Sequence, residues 1–273
     1  PDAIFKTRAI YQNRYNPPLL QIAGDKLGKD PLYWRVRAID FNGTPYTPFS
    51  ELAPLYTSPE LPLMQAPVLT ADFGGRRGET LLYPVYSWVG QSEAASYEVA
   101  VYNENPEEHP EAEPIELLAS SMAEIYDPEP HYGDTPFYWR VHAFDASGAP
   151  LGDWSATRLF RTAPADDWQV AVLGDSISHG GGHFSYSPAD FKFSWLHYLD
   201  FDTINLSESG DTSGMTLARF DRDVLPFHPQ YLLIMTGSNS LRAGEDPDAV
   251  ISDLEMMRQK CLQNGIRPIL LTL

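Results

Sequence analysis

The chain has 273 residues, 43% of them apolar, enough to bury a sizeable core in one large domain or in two to three ordinary ones. Its 19 basic and 37 acidic residues leave a net charge of −18, which repels a phosphate backbone or an anionic lipid surface and sets nucleic acid aside as a partner. No apolar run approaches the roughly 20 residues needed to span a bilayer, and the single cysteine, Cys261, excludes an intramolecular disulfide and a cysteine-built zinc site.

The chain opens Pro-Asp-Ala and closes on the apolar run Ile269-Leu-Leu-Thr-Leu273, which reads as a buried strand; we expect it to be an internal segment of something longer. Its first half repeats itself. Tyr33-Trp-Arg-Val-Arg-Ala-Ile-Asp-Phe-Asn-Gly-Thr-Pro45 aligns without a gap with Tyr138-Trp-Arg-Val-His-Ala-Phe-Asp-Ala-Ser-Gly-Ala-Pro150, so two copies of one module are expected. In each copy Trp, Val and Ala alternate with Tyr, Arg and Arg or His, the period of a strand with one buried face. Asn42-Gly43 and Ser147-Gly148 then supply a tight turn before Phe49-Ser50 and Trp154-Ser155, which predicts a β-hairpin in each copy.

The second copy runs from about Ala66 to Thr162, and residues 83–88 and 96–102 read as two further strands of a sandwich. Between Glu104 and Asp134 acidic residues recur with no Lys or Arg, broken by prolines; this reads as a solvated loop, because the spacing lacks the order that calcium capture requires. Trp88, the following Tyr97-Glu-Val-Ala-Val and the later Tyr-Trp-Arg-Val-x-Ala-x-Asp-x-x-Gly stretch together resemble a bacterial fibronectin type III module. That resemblance implies an all-β sandwich over residues 65–163 and a partial module over 1–60, which lacks its opening strands and any counterpart of Trp88. The tryptophans are expected in sandwich cores.

After Ala163-Pro-Ala-Asp-Asp the pattern changes. Trp168-Gln-Val-Ala-Val-Leu173, Asp202-Thr-Ile-Asn-Leu206, Tyr231-Leu-Leu-Ile-Met235 and residues 268–273 are short apolar runs separated by helical stretches. The clearest helix starts at Asp246-Pro247, carries Val250, Ile251, Leu254, Met257, Cys261 and Leu262 at helical spacing, and closes at Asn264-Gly265. Strands buried on both faces and joined by helices predict a parallel, doubly wound α/β sheet, with ligands at the carboxyl ends of its strands.

Three of those ends carry chemistry. The first ends Gly174-Asp175-Ser176, a serine exposed directly after a strand; the second ends Asn205-Leu-Ser-Glu-Ser-Gly210-Asp-Thr, where Gly210 permits close backbone approach; the third ends Gly237-Ser238-Asn239, with an uncharged amide donor. A hydroxyl facing backbone and amide donors is a nucleophile with an oxyanion hole. In order and spacing these blocks resemble the SGNH (GDSL-type) hydrolase family over residues 168–273. The resemblance implies a flavodoxin-like fold in which Ser176 attacks an ester carbonyl, while the N–H groups of Ser176 and Gly210 and the Asn239 side chain hold the oxyanion. It implies an acyl-serine intermediate and neither metal nor organic cofactor. Asp175 and His179 are expected beside the substrate.

Two departures matter. Ser240 stands where the family has Asp, which is expected to loosen the asparagine loop, and no Asp-x-x-His block, the family's source of the catalytic base, occurs in the sequence. A serine without a base is a poor nucleophile, so we expect the missing block beyond Leu273. His179 and His183 lie close after Ser176 but lack an obvious orienting carboxylate. The expected function is a serine ester hydrolase acting outside the cytoplasm or at the cell surface, its sandwich modules spacing or docking it. A polysaccharide or small-molecule ester is the expected substrate, by analogy with modular enzymes; family members also cleave lipids and thioesters. The rival reading is a binding or adhesion protein with a degenerate hydrolase domain.

Overall fold

The computed structural model of the chain describes residues 3–8, 22–26, 29–40, 42–55, 65–71, 73, 75, 77–91, 94–180 and 194–272. Its strands in chain order are β1 (Leu32–Trp34), β2 (Ala53–Leu55), β3 (Val68–Leu69), β4 (Arg77–Leu81), β5 (Val85–Val89), β6 (Ser96–Tyr102) and β7 (Glu116–Ser120). There follow β8 (Glu124–Tyr126), β9 (Phe137–Phe144), β10 (Arg158–Phe160), β11 (Val170–Gly174), β12 (Thr203–Asn205), β13 (Tyr231–Met235) and β14 (Arg267–Leu270). The helices are α1 (Ser176–His179), α2 (Ser213–Asp223), α3 (Ser238–Arg242) and α4 (Pro247–Gln263).

The repeat is visible bond by bond. In the second copy Asp145 N–H donates to Ala149 O and Val141 N–H to Ser155 Oγ; in the first, Asp40 N–H donates to Thr44 O and Val36 N–H to Ser50 Oγ. Gly148 and Gly43 sit at φ 81° and 84°, the conformation the turn requires of them. The outer faces match as well: Arg140 lies over the Trp154 ring at 4.4 Å, and Arg35 over Phe49 at 4.2 Å. What differs is burial. Trp139 and Val141 are fully buried, whereas Trp34 and Val36 are about half exposed (51% and 49%), because no opposing sheet covers them among the described residues.

In the second copy the antiparallel sheet β10-β9-β6-β7 faces the antiparallel sheet β3-β5-β8. They share a core built from the inward residues of each strand, with Tyr86 and Trp139 rings 4.9 Å apart. The two segments expected as sandwich strands, now β5 and β6, therefore lie in different sheets. The acidic stretch is the expected solvated loop only over residues 104–114, which are turn and mostly exposed; beyond them it forms β7 and β8 and buries Asp127 and His131. Tyr86 Oη donates to Asp127 Oδ2 (2.9 Å), and His131 Nε2 lies 2.7 Å from Asp127 and 3.2 Å from Glu116. This internal pairing of the buried groups offsets the charge of the segment.

The second half is a parallel sheet of order β14-β13-β11-β12-β4. Its outermost strand is unexpected. β4 belongs to the stretch read as part of the sandwich, yet it pairs with β12, and Leu82 N–H continues the ladder to Asn205 O (2.9 Å). It covers the edge that β12 would otherwise expose, and the following Leu82, Tyr83 and Val85 bury themselves in the same core as Leu173, Ile204, Phe220 and Met257. The opposite face of the sheet, through Val172 and Leu233, packs on Leu196. α4 begins and ends as its caps predict, with Asp246 accepting from Asp248 N–H and Gly265 at φ 73°. Val250, Met257 and Cys261 are buried, but Ile251 and Leu262 face outward. β14, expected buried, lies at the sheet edge and exposes Ile269 and Leu270.

Candidate active site

The chain runs from β11 to β12 on one side and returns past β11 to β13 on the other, so the strand order reverses between β11 and β13. Successive loops diverge at such a point and leave a crevice at the carboxyl ends. Ser176 follows β11 and Gly237, Ser238 and Asn239 follow β13, on the two sides of that crevice.

Gly174 closes β11 against its neighbour: a Cβ there would lie 2.3 Å from Met235 O, so only glycine lets the strand ends approach this closely. Asp175 then caps α1, its Oδ1 accepting from Ile177 N–H (3.0 Å) while its Oδ2 accepts from Ser238 Oγ (2.6 Å). This locks the nucleophile loop to the asparagine loop and leaves the Ser176 side chain partly exposed. On the other flank the loop after β12 continues alongside β11, with Leu206 N–H donating to Val172 O (2.8 Å) and Glu208 N–H to Gly174 O (3.0 Å). Gly210 turns at φ 98°. Asn239 Nδ2 donates to Asp211 O (2.8 Å), which uses one of its two hydrogens. The three loops carrying Ser176, Gly210 and Asn239 are thus stitched into one rim by hydrogen bonds to one another. Burial raises the carboxyls of Glu208 and Asp211 above their ordinary values, and the charge of Arg219 offsets only part of that rise.

Three expectations need correction. His179, expected beside the substrate, is buried: its Nε2 lies 2.8 Å from the Tyr83 carbonyl, and its ring meets Tyr126 edge-on at 5.3 Å. Asp175 is wholly buried and occupied by its cap and by Ser238, so it holds the rim and does not face a substrate. Ser240 does not loosen its loop. Buried at 0% exposure, its Oγ accepts from Ser213 N–H at the start of α2 (2.9 Å), and Ser213 Oγ bonds Asp253 (2.6 Å), so a serine and a carboxylate from α4 tie the asparagine loop to α2. His183 lies outside the described residues.

The chain around β5 and β8 also reaches the site: Tyr83 and Tyr126 hold His179, and Tyr83 Oη donates to Asp223 Oδ2 (2.6 Å) in α2, so residues before β11 support the rim. Among the described residues one group has metal-ligand composition, Glu116, Asp127 and His131, but it lies in the sandwich and its imidazole nitrogen is already engaged by Asp127. Arg219 and Asp211 lie outside the nucleophile, oxyanion and asparagine positions that the motif blocks mark. A signal existed: the inward stripe of α2, Thr216, Arg219, Phe220 and Asp223, carries charges where a core helix carries apolar side chains.

Residues 172–272 match the model of the GDSL-like lipase/acylhydrolase family. Among solved structures the chain is similar to TesA (29% identity, 38% of this chain and 59% of that one, TM-score 0.34). It is also similar to a putative acylhydrolase from Bacteroides fragilis NCTC 9343 (21%, 39% and 48%, TM-score 0.31) and to the psychrotrophic esterase EstA from Pseudoalteromonas sp. (24%, 38% and 58%, TM-score 0.30). The chain spans about half the length of these structures. No curated protein matches it.

Proposed function

We propose, from the match of residues 172–272 to the GDSL-like lipase/acylhydrolase family model, that this chain carries the acyl-binding half of a serine ester hydrolase centred on Ser176. The observation that supports it most is the rim: the loops after β11, β12 and β13, which carry Ser176, Gly210 and Asn239, are hydrogen-bonded to one another at the carboxyl edge where the strand order reverses. In this reading Ser176 Oγ adds to the ester carbonyl carbon and the carbonyl π pair moves onto oxygen. The N–H groups of Ser176 and Gly210 and Asn239 Nδ2 hold the resulting oxyanion, in the way that makes preorganised donors worth 10²–10³ in rate each. Collapse expels the alcohol and leaves an acyl-serine, which water then hydrolyses. The hydroxyl proton needs a base, and the described residues place none on Ser176.

The substrate we propose is a short acyl ester of a carbohydrate, met outside the cytoplasm, with fibronectin type III-like modules as the accompanying architecture. The β-rich repeat supports this by analogy.

A phosphonylating probe tests the chemistry on this chain directly. With imidazole supplied in solution as the proton acceptor that the described residues do not provide, incubation with a fluorophosphonate and peptide mass mapping should find the label on Ser176, faster than on surface serines and absent in Ser176→Ala. Acetylated xylo-oligosaccharides should compete with the probe better than p-nitrophenyl palmitate does. Labelling of Ser176 no faster than that of other serines would favour a binding protein built on a hydrolase fold.

A further inference from the structure

The proposed oxyanion hole depends on a loop, residues 206–212, with no regular structure of its own, and one buried side chain grips it from behind. Arg219, on the inward face of α2 and 6% exposed, directs Nε to Asp211 Oδ2 (2.6 Å), with Glu208 Oε2 at 3.4 Å. Its Nη1 donates to Leu206 O (2.6 Å) and Asp223 Oδ2 (3.0 Å), and its Nη2 to Gly174 O (3.1 Å). A planar guanidinium with five donors in fixed directions is the side chain able to meet acceptors spread over this arc.

The choice of partners is informative. Gly174 O lies two residues before Ser176 and also accepts from Glu208 N–H, so guanidinium and loop converge on one carbonyl. Glu208 and Asp211 bracket Gly210, so fixing both sets the peptide plane that carries the Gly210 N–H. With the Asp211 carboxylate drawn inward to Arg219, its carbonyl is left to orient Asn239 Nδ2. One guanidinium therefore registers the nucleophile strand, the glycine donor and the amide donor against each other.

We propose that Arg219 is a positioning residue of the ester-hydrolase site, presetting the oxyanion hole by clamping residues 206–211 to the end of β11. The proposal rests on the reading of Ser176 as the nucleophile. Preorganised donors act because they need not reorganise when charge develops, so loosening the clamp should lower the rate of reaction at Ser176 more than the binding that precedes it.

Arg219→Lys is the main test, because it keeps a positive charge among the buried carboxylates while losing the fork. Measured against the fluorophosphonate probe, kinact should fall on the order of 10²-fold, the loss expected for one oxyanion donor, with KI within about threefold of wild type. Millimolar guanidinium should restore part of kinact in Arg219→Ala. Native-state hydrogen exchange by mass spectrometry gives an arm independent of reactivity: amides of residues 207–212 should exchange at least tenfold faster in Arg219→Lys, while those of β11 and β13 keep their protection. Wild-type kinact in folded Arg219→Lys overturns the proposal, and so does unchanged exchange across residues 207–212. Should wild type show no selective labelling of Ser176, the ester-hydrolase reading fails and the exchange arm alone decides whether Arg219 clamps the loop.

Discussion

Gly174→Ala places a methyl group 2.3 Å from Met235 O and 3.0 Å from Ser178 Oγ, at the point where β11 and β13 pair residue to residue. The Met235 oxygen is backbone within a ladder and cannot swing away as a side chain would, so the strand ends must part. Overpacking of this kind costs about 1–3 kcal/mol. Parting also stretches the 2.6 Å bond from Ser238 to the buried Asp175 carboxylate, worth about 1.5–3 kcal/mol as a bond to a charged acceptor. The sum, about 2.5–6 kcal/mol, corresponds to a fall in melting temperature on the order of 10 °C for a chain of this size. Gly148→Ala is the matched control: that glycine has φ 81° with nothing within 4 Å of an added Cβ, so its cost is local backbone strain of about 1 kcal/mol. Thermal unfolding by circular dichroism, paired with the labelling rate at Ser176, reads both consequences. A Gly174→Ala protein that melts within 2 °C of wild type and labels at the wild-type rate would show that the strand ends have slack, and the account of a rim locked by close approach would be wrong.

Other outcomes follow from the same structure. The two copies of the repeat should diverge under one substitution: Trp139→Ala, at a fully buried site, should cost about 3–5 kcal/mol in urea unfolding, while Trp34→Ala, half exposed, should stay within about 0.5 kcal/mol. Ser240→Ala should lose about 1–3 kcal/mol by leaving the buried Ser213 N–H without its acceptor; a neutral result would mean that Asp253 alone holds α2. Burial pushes the His131 imidazole down, but the Asp127 hydrogen bond and charge together with Glu116 outweigh it and raise its pKa; burial raises the Glu116 carboxyl too. Both groups therefore hold protons more tightly when folded. The stability His131 contributes is present in full below its unfolded value of about 6.5 and fades as pH climbs through its higher folded value. The difference in urea midpoint between wild type and His131→Gln should shrink as pH is taken from 6 towards 9, and a difference that grows would reverse the sign argued here. Burial raises the Cys261 thiol to about 11, so Ellman's reagent at pH 8 should react only after denaturation.

Much of this molecule can be read without coordinates because local rules write it into adjacent residues. The Trp-Val-Ala alternation, the Asn-Gly and Ser-Gly turns, the Asp246-Pro247 cap and the apolar runs before Gly174-Asp175-Ser176 and Gly237-Ser238-Asn239 each declare an element within a dozen positions. Parallel strands buried on both faces then determine that successive strand ends share one edge, so a rim uniting Ser176, Gly210 and Asn239 is implied by their order alone. Nothing local marks which strand will cover an edge. β4 looks like any short polar strand, and only the pairing with β12 and the burial of Leu82 and Tyr83 beyond it decide that it leaves the sandwich. Nor does sequence say where a polar side chain spends its hydrogen bonds. His179 and Asp175 lie beside the serine in the chain yet turn into the body, while Arg219, far along in sequence, grips the loop behind Gly210. The physical reason is range: turn and strand propensities act between near neighbours, whereas desolvation sends each buried polar atom to whichever partner the completed fold brings within reach.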